Sequence, residues 1–321
     1  MNGVDIRAAL TAMLSGKMDT ADIAATLVQI ETEGVGAEQL TAGAAVMREH
    51  MTRVSVPGGA IDIVGTGGTG LKLLSISTAT AFVVAGAGVP VAKHGNRGAS
   101  SPTGTADTLS ELGVNIAMTP ERAAAAVSEV GMGFLFAPTY HPAMRHVGPA
   151  RKQIGKRTIF NRLGPLCNPA EVKYMLLGSA EAHLVRPMAE ALKANGVISA
   201  MVVHGEDGMD EITTTGTTQV AELNRGDISE YVLSPETFNL DRVSLQAISG
   251  GAPAVNAAAL SRLLDGEASA YRDIVCLNAG AALKVAGKVV EITEGIKQAR
   301  ESIDSGKAKS VLSCLAEFSH G

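Results

Sequence analysis

The sequence predicts an α/β protein with a small all-helical domain and a large α/β domain built on a central, mainly parallel sheet. Its 321 residues are enough for a large core. The first 50 residues carry apolar side chains at helical spacing throughout. After residue 60, short apolar runs alternate with helical stretches, as they do when helices connect the strands of a parallel sheet.

The N-terminal unit is predicted to contain three helices, at residues 6–15, 19–30 and 37–51. Asp19 or Thr20 can cap the second helix. The run Val56-Pro57-Gly58-Gly59 then breaks the helical pattern and indicates a linker. We therefore expect a helical domain at 1–56, joined by about 141–160, and an α/β domain at 57–140 and 161–321.

In the α/β domain, five apolar runs are predicted strands, at residues 61–64, 89–92, 134–137, 174–178 and 200–204. Helices are predicted between them, at residues 77–87, 105–112, 120–130 and 181–195. Thr119-Pro120-Glu121 is a clear helix start, with the threonine as cap and the proline in the first turn. A hairpin is expected at 220–233, and helices again from about Asn256 to the C terminus.

The segment at residues 141–155 is polar and basic and lies between two predicted strands. We expect it to be helical and to return to the N-terminal helices. A helical lobe built from two pieces of sequence would then face the α/β lobe across a cleft. Clefts between lobes are where small ligands usually bind.

The bulk properties exclude some classes of function. The net charge is −5 and no run is rich in Lys and Arg, which argues against nucleic-acid binding. The longest apolar run is too short and too rich in Gly and Pro to span a membrane. The three cysteines are scattered without metal or disulfide spacing, which favours reduced thiols and a cytoplasmic protein.

A glycine-rich loop follows the first predicted strand, in the run Ile61-Asp-Ile-Val-Gly-Thr-Gly-Gly-Thr-Gly70. Such a loop lets backbone N–H groups approach a ligand, and the helix start after it favours negative charge. Lys93, His94, Asn96 and Arg97 follow the next strand. The loop alone could be only a tight turn, but together with these cations it indicates a phosphorylated, anionic substrate.

Four carboxylates, those of Glu206, Asp207, Asp210 and Glu211, follow the strand predicted at 200–204. Acidic side chains at a strand end can hold Mg²⁺, which also takes phosphate oxygens and water as ligands. The alternative is a solvated acidic turn. Ser77 and Thr78, at the start of the helix after the glycine loop, could add hydroxyl groups to a metal or a phosphate. Arg151 could grip a carboxylate in a bidentate manner, whereas His141 could line a pocket or only satisfy a backbone carbonyl.

Taken in order, several motifs resemble those of the anthranilate phosphoribosyltransferases, over nearly the whole chain. They are IDIVGTGG (61–68), SIST (75–78), PVAKHGNR (90–97), ADTLSELGV (106–114), FLFAP and HPAM (134–144), RKQIGKRTIFNRLGPLCNPA (151–170) and GMDEIT (208–213). The resemblance implies a helical domain plus an α/β domain, usually in a homodimer. It also implies transfer from phosphoribosyl pyrophosphate (PRPP) to anthranilate, with Mg²⁺, in tryptophan biosynthesis, and no protein nucleophile.

The resemblance also implies roles for individual residues. The implied PRPP-binding residues are Gly65, Gly67, Gly68, Thr69, Ser75, Ser77, Thr78, Lys93, Asn96 and Thr105. The implied anthranilate-binding residues are Gly65, His94, Asn96, His141, Arg151, Gly164 and Pro165, with Arg151 on the carboxylate. The implied metal-binding residues are Ser77, Asp210 and Glu211.

The chain departs from the family pattern on the donor side. Thr69 stands where the family loop has Asp, Leu73 and Ser75 stand where it has Thr and Asn, and Pro102 stands where Lys or Arg is common. Two alternatives follow. One is a related phosphoribosyltransferase or nucleoside phosphorylase-like enzyme with another donor or aromatic acceptor. The other is an inactive relative that binds nucleic acid or protein, against which the acidic pI and the Asp210-Glu211 pair argue.

Overall fold

The computed structural model describes residues 3–98 and 102–321, so the first two residues of the predicted helical domain lie outside the described residues. Its central sheet has seven strands in the order β3-β2-β1-β4-β5-β6-β7. The strands are β1 Ile61–Gly65, β2 Val91–Gly95, β3 Met132–Phe136, β4 Tyr174–Gly178, β5 Ser199–Gly205, β6 Thr218–Asn224 and β7 Asp227–Leu233. The first five pair in parallel, while β6 and β7 form an antiparallel hairpin at one edge. The predicted mainly parallel sheet and the hairpin are confirmed.

The described residues contain fourteen α-helices and several short 3₁₀ turns. The helices are α1 Ile6–Leu14, α2 Thr20–Glu33, α3 Ala37–Glu49, α4 Ile76–Gly86, α5 Thr105–Glu111, α6 Pro120–Glu129, α7 Ala137–Tyr140, α8 Gly148–Ile154, α9 Ile159–Leu163, α10 Val185–Ala194, α11 Pro253–Leu264, α12 Ala270–Val285, α13 Ile292–Asp304 and α14 Lys307–Phe318. None of the described helices is long and apolar enough to cross a membrane.

Two predicted caps are present. The Asp19 carboxylate accepts a hydrogen bond from the Asp22 N–H at 2.8 Å and starts α2. The Thr119 hydroxyl accepts one from the Arg122 N–H at 3.3 Å, and Pro120 follows in the first turn of α6. In both cases a local side chain satisfies an N–H group that the helix leaves unpaired.

Two predicted helices were wrong in their extent. The segment at 141–155 is not one helix but a 3₁₀ turn at Pro142–His146 followed by α8, because Pro142 and Pro149 cannot donate backbone hydrogen bonds within a longer helix. The helix predicted at 181–195 begins only at Val185, after a 3₁₀ turn at Ala182–Leu184. There the Ser179 hydroxyl exchanges hydrogen bonds with the Glu181 backbone and fixes a turn.

The returning segment packs on the N-terminal helices, as the sequence predicted. α8 lies against α2, and α9 lies against α2 and α3. At the α3–α9 contact Gly43 faces Leu163 so closely that an added Cβ would lie 2.9 Å from the leucine methyl groups. The helical layer is therefore built from two separate parts of the chain.

Helix α4 holds the α/β part together. Its residues are almost all buried, and it packs between the sheet and α12, α13 and α14. Because α4 directly follows the loop after β1, its first turn opens at the carboxyl ends of the parallel strands. In open α/β sheets that edge is where ligands bind.

Candidate active site

A cleft of about 340 Å³ opens where the carboxyl ends of β1 and β2 face α8 and α9. The loop after β1, the start of α4, the segment after β2, the start of α5, and residues 210–211 after β5 form its walls. Sixteen of the predicted site residues line it: Gly65, Gly67, Gly68, Thr69, Ser75, Ser77, Thr78, Lys93, His94, Asn96, Thr105, Arg151, Gly164, Pro165, Asp210 and Glu211. Among the predicted site residues, His141 is the one that does not.

The glycine loop is fastened at its back. The Gly67 N–H donates to Asp210 Oδ2 at 2.8 Å, and Arg157 Nη1 donates to the Gly68 carbonyl at 3.1 Å. Gly67 and Gly68 have φ of +63° and +74°, which favours glycine. A Cβ at Gly65 would collide with the Asp210 carboxylate. The close approach of the loop to the Asp210 carboxylate thus requires glycine at position 65.

The residues that depart from the family pattern have local partners. The Thr69 hydroxyl accepts a hydrogen bond from the Leu71 N–H at 3.2 Å. The Ser75 hydroxyl bonds to the Thr108 hydroxyl at 2.8 Å and accepts from Asn256 Nδ2 at 3.1 Å. Pro102 lines the cleft. Ser75 is thus held by α5 and α11, whereas Thr69 stays in the loop.

Leu73 belongs to the same tethered segment. It forms an isolated antiparallel bridge with Ser249, and its carbonyl accepts a hydrogen bond from Asn256 Nδ2 at 3.1 Å. The chain between the glycine loop and α4 is therefore anchored to the residues that lead into α11.

Lys93 lies beneath the start of α4. Its Nζ donates to the Ile63 carbonyl, and Ser77 Oγ lies 3.4 Å away. Burial lowers the pKa of Lys93 to about 8, although the negative charges of Asp62, Glu211 and Asp210 oppose this shift. The lysine is therefore a buried cation in a group of carboxylates.

The four carboxylates after β5 divide into two pairs. Asp207 accepts a hydrogen bond from the Thr213 hydroxyl at 2.6 Å, and Glu206 accepts one from the Thr217 hydroxyl at 2.9 Å. These two side chains hold the loop together. Asp210 and Glu211 instead line the cleft.

The Asp210-Glu211 pair has the chemistry of a Mg²⁺ site. Burial raises the pKa of Glu211 well above its usual range, and repulsion from Asp210 adds to the shift. Burial also raises the pKa of Asp210. Glu211 Oε2 is buried without a hydrogen-bond partner, which a bound cation would provide. Among the described residues, no three acidic, His or Cys side chains are arranged to hold a metal ion together, so a hard ion here would need phosphate or water oxygens as further ligands.

Arg151 is a cation without an anionic partner. Its Nη2 donates to Asn161 Oδ1 at 3.2 Å, and its guanidinium lies 5.9 Å from the Phe160 ring centre. No carboxylate of the described residues forms an ion pair with it. Burial lowers the pKa of Arg151, yet a guanidinium stays charged in proteins. This part of the cleft is therefore built for an anion.

His94 and His141 form a buried pair with ring centres 5.1 Å apart. His94 lines the cleft, and His141 lies behind it. Burial lowers the pKa of His94 to about 3 and that of His141 to about 4, so both rings are neutral at pH 7. The Nε2 atoms of both rings are buried without a hydrogen-bond partner.

Three supporting residues were missed by reasoning from the sequence. Asp62 lies buried at the back of the site, where it accepts a hydrogen bond from Asn168 Nδ2 at 2.7 Å. Arg157 holds the glycine loop from behind. Asn161 contacts Arg151. Two of the three had a local signal: Arg157 belongs to the basic stretch at 151–157, and Thr158-x-x-Asn161 has the spacing of a capping box.

The fold and this cleft define a glycosyltransferase. A family model described as "Glycosyl transferase family, a/b domain" matches residues 58–309. The anthranilate phosphoribosyltransferase of Parvibaculum lavamentivorans is 53% identical over all of this chain and 94% of its own length. That of Mesorhizobium japonicum is 50% identical over 99% of this chain and 94% of its own length. The chain belongs to the anthranilate phosphoribosyltransferase family.

Solved structures support the same assignment. The anthranilate phosphoribosyltransferase of Thermus thermophilus matches with a TM-score of 0.94 and 42% identity, over all of this chain and 97% of that one. The Saccharomyces cerevisiae enzyme, solved in complex with PRPP and Mg, matches with a TM-score of 0.90 and 28% identity, over 98% of this chain and 92% of that one.

Proposed function

We propose that this chain transfers the phosphoribosyl group of PRPP to the amine of anthranilate, giving N-(5-phosphoribosyl)anthranilate and pyrophosphate. In this role it serves tryptophan biosynthesis. The observation that carries the proposal is the division of one cleft into two anion sites. A glycine loop faces a carboxylate pair on one side, and the unpaired Arg151 lies on the other.

On the donor side, we assign the phosphates to the loop at Gly65–Gly68, Thr69 and the first turn of α4. Backbone N–H groups in such a loop favour anions. Lys93 adds a buried positive charge beneath the same turn. The other residues assigned to PRPP are Ser75, Ser77, Thr78, Asn96 and Thr105.

Mg²⁺ is assigned to Asp210, Glu211 and Ser77, whose oxygens are the kind of ligand it prefers. Bound there, Mg²⁺ supplies positive charge to the departing pyrophosphate. The chain's own residues then keep the leaving group in place, since Lys93 and the loop N–H groups face the same region.

On the acceptor side, Arg151 binds the anthranilate carboxylate, and His94, Asn96, Gly164 and Pro165 surround the ring. His141 acts from behind His94. The weakly nucleophilic aniline nitrogen needs to be positioned and shielded from water. In the transfer, a C–N bond forms at ribose C1, the C1–O bond to pyrophosphate breaks, and the amine gives up one proton, which leaves with the pyrophosphate or to water. The protein's task is positioning and electrostatic stabilisation.

We assign residues 1–56, with about 141–160, to the helical domain, and 57–140 with 161–321 to the α/β domain. Because residues 141–160 cross between the two, movement of the helical layer would move Arg151 relative to the donor loop. We further propose that the enzyme is a cytoplasmic homodimer that acts on small molecules and not on nucleic acid.

The test is the loss of anthranilate fluorescence on incubation with PRPP and Mg²⁺. We expect turnover that requires both, with pyrophosphate released in equal amount to anthranilate consumed. Absence of turnover with PRPP would overturn the proposal.

One observation favours a second candidate, a related transferase with a different donor. Thr69 replaces a carboxylate that the family loop carries. The Ser75 hydroxyl already forms hydrogen bonds with Thr108 and Asn256 within the protein. Ribose 1-phosphate, compared with PRPP at equal concentration, separates the two candidates. Faster transfer from ribose 1-phosphate would favour the second.

A further inference from the structure

Asn161 contacts both the start of α9 and Arg151, the cation of the acceptor side. It is the third residue of α9, and its Oδ1 accepts a hydrogen bond from the Thr158 N–H at 3.0 Å. The same oxygen accepts one from Arg151 Nη2 at 3.2 Å. Because two donors converge on Oδ1, they fix which end of the carboxamide faces them. The arginine is therefore oriented by a neutral group.

The same arrangement recurs with a different outcome at the start of α5. Asp107 is the third residue of that helix, and its carboxylate accepts hydrogen bonds from the N–H groups of Gly104 at 3.0 Å and Gly98 at 2.9 Å. It also forms an ion pair with Arg97 at 2.7 Å. Asp107 thus orients an arginine and neutralises it at the same time.

We propose that Asn161 is a specificity-determining residue of the acceptor site, because its carboxamide orients Arg151 without neutralising it and so selects an anionic aromatic amine. The inference rests on the proposed function. A carboxylate at position 161 would pair with Arg151 and would repel the carboxylate of the acceptor. The neutral Asn161 carboxamide is therefore the reason why the site prefers an acceptor with a negative charge.

The decisive variant is Asn161→Asp, which keeps the shape and the accepting oxygen for Thr158 and Arg151 and adds a negative charge. The readout is the Kd of anthranilate from its fluorescence, compared with the Kd of 2-aminobenzamide, its neutral isostere. We expect the anthranilate Kd to rise at least 30-fold and that of 2-aminobenzamide to change less than threefold. The KM for PRPP should stay within threefold.

Two further variants keep the inference falsifiable. Asn161→Ala removes the orienting contact without adding charge, so the anthranilate Kd should rise by less than in Asn161→Asp. Asp107→Asn makes the converse change at α5, and we expect the anthranilate Kd to stay within twofold. Thermal unfolding of each variant shows whether the fold is kept.

Equal weakening of anthranilate and 2-aminobenzamide by Asn161→Asp would overturn the inference, since it would mean that Asn161 only supports the fold of α9. Unchanged anthranilate binding would overturn it as well. These results are distinct from failure of the proposed function, which would show as wild-type protein that does not consume anthranilate with PRPP.

Discussion

The two sides of the cleft treat charge in opposite ways. On the donor side, Arg97 is paired with Asp107, and Lys93 lies among buried carboxylates. On the acceptor side, Arg151 is held by the amide of Asn161, and the nearby histidines are neutral. The acceptor side therefore presents a ready positive charge, whereas the charges of the donor side are largely balanced within the protein.

This difference shows how one cleft can separate two anionic substrates. A pyrophosphate carries more charge than a carboxylate, and a divalent cation held by Asp210 and Glu211 can supply the matching positive charge. A single carboxylate needs only one guanidinium. We therefore expect the donor side to depend on metal and the acceptor side to be independent of it.

The largest effect should come from removing the metal ligands with the near-isosteric double variant Asp210→Asn/Glu211→Gln. Turnover that depends on Mg²⁺ should fall by roughly 1000-fold or more, because several kcal/mol of charge stabilisation are lost. The fold should survive, since burial already raises the pKa of both carboxyl groups and their charges do not favour the folded state. Turnover measured over a range of Mg²⁺ concentrations tests the first expectation, and thermal unfolding tests the second. A full Mg²⁺ response in this variant would mean that the acidic pair does not hold the metal.

The next effect tests the acceptor side alone. Arg151→Ala should raise the anthranilate KM by roughly 30- to 1000-fold, since a charge-assisted bidentate contact is worth about 2–4 kcal/mol. The PRPP KM should change little, because Arg151 lies across the cleft from the glycine loop. Steady-state kinetics with each substrate varied in turn measures the split. A variant with wild-type anthranilate KM and an intact fold would remove Arg151 from the acceptor site.

The fold was largely predictable from the sequence, because helical and strand periodicities are local. The predicted sheet and most helices are present, and the two errors fall at 141–155 and 181–195, where prolines and a serine turn interrupt the predicted helices. The cleft-lining residues could be predicted through motif resemblance. Their supports could not, since Asp62 and Asn168 are 106 residues apart in the chain and only folding brings them together.

Buried titratable groups next to the cleft make the free energy of unfolding depend on pH, and they do so in opposite directions. The folded-state pKa of His94 is about 3 and that of His141 about 4, both below the ordinary value. Their contribution is fully present above pH 6.5 and is lost as the pH falls, by about 2 kcal/mol each at pH 5. Burial raises the pKa of Asp62 to about 6, so protonation of Asp62 stabilises the folded protein as the pH falls. This offsets about 1 kcal/mol of the loss caused by the histidines.

Urea unfolding at pH 7 and pH 5 measures this balance. We expect His141→Gln to reduce the loss of free energy of unfolding between pH 7 and pH 5 by about 2 kcal/mol. His183→Gln is the control for replacing a histidine that does not line the cleft, because that side chain is 71% exposed. An identical drop in wild type and His141→Gln would show that His141 does not resist protonation.

The smallest effect concerns the donor loop, where Thr69 stands in place of a family carboxylate. The Thr69 hydroxyl accepts a hydrogen bond from the Leu71 N–H at 3.2 Å, and an aspartate can form the same turn. The second carboxylate oxygen would then be free to accept a hydrogen bond from a ribose hydroxyl or from a metal-bound water. We expect Thr69→Asp to lower the PRPP KM by about 3- to 10-fold, the value of one added hydrogen bond of about 1 kcal/mol.

Adding Ser75→Asn should give no further gain, although both residues depart from the family pattern. The Ser75 hydroxyl is already bonded to Thr108 at 2.8 Å and to Asn256 at 3.1 Å, so a larger amide would have to displace those contacts. Ser110→Asp, on the exposed side of α5, adds the same charge away from the cleft and should leave the PRPP KM unchanged. If Thr69→Asp raises the PRPP KM instead, the carboxylate repels the phosphates, and the neutral loop suits a donor with a different arrangement of charge. Kinetics with ribose 1-phosphate on the same variant would then decide whether the donor side has changed its ligand or only its affinity.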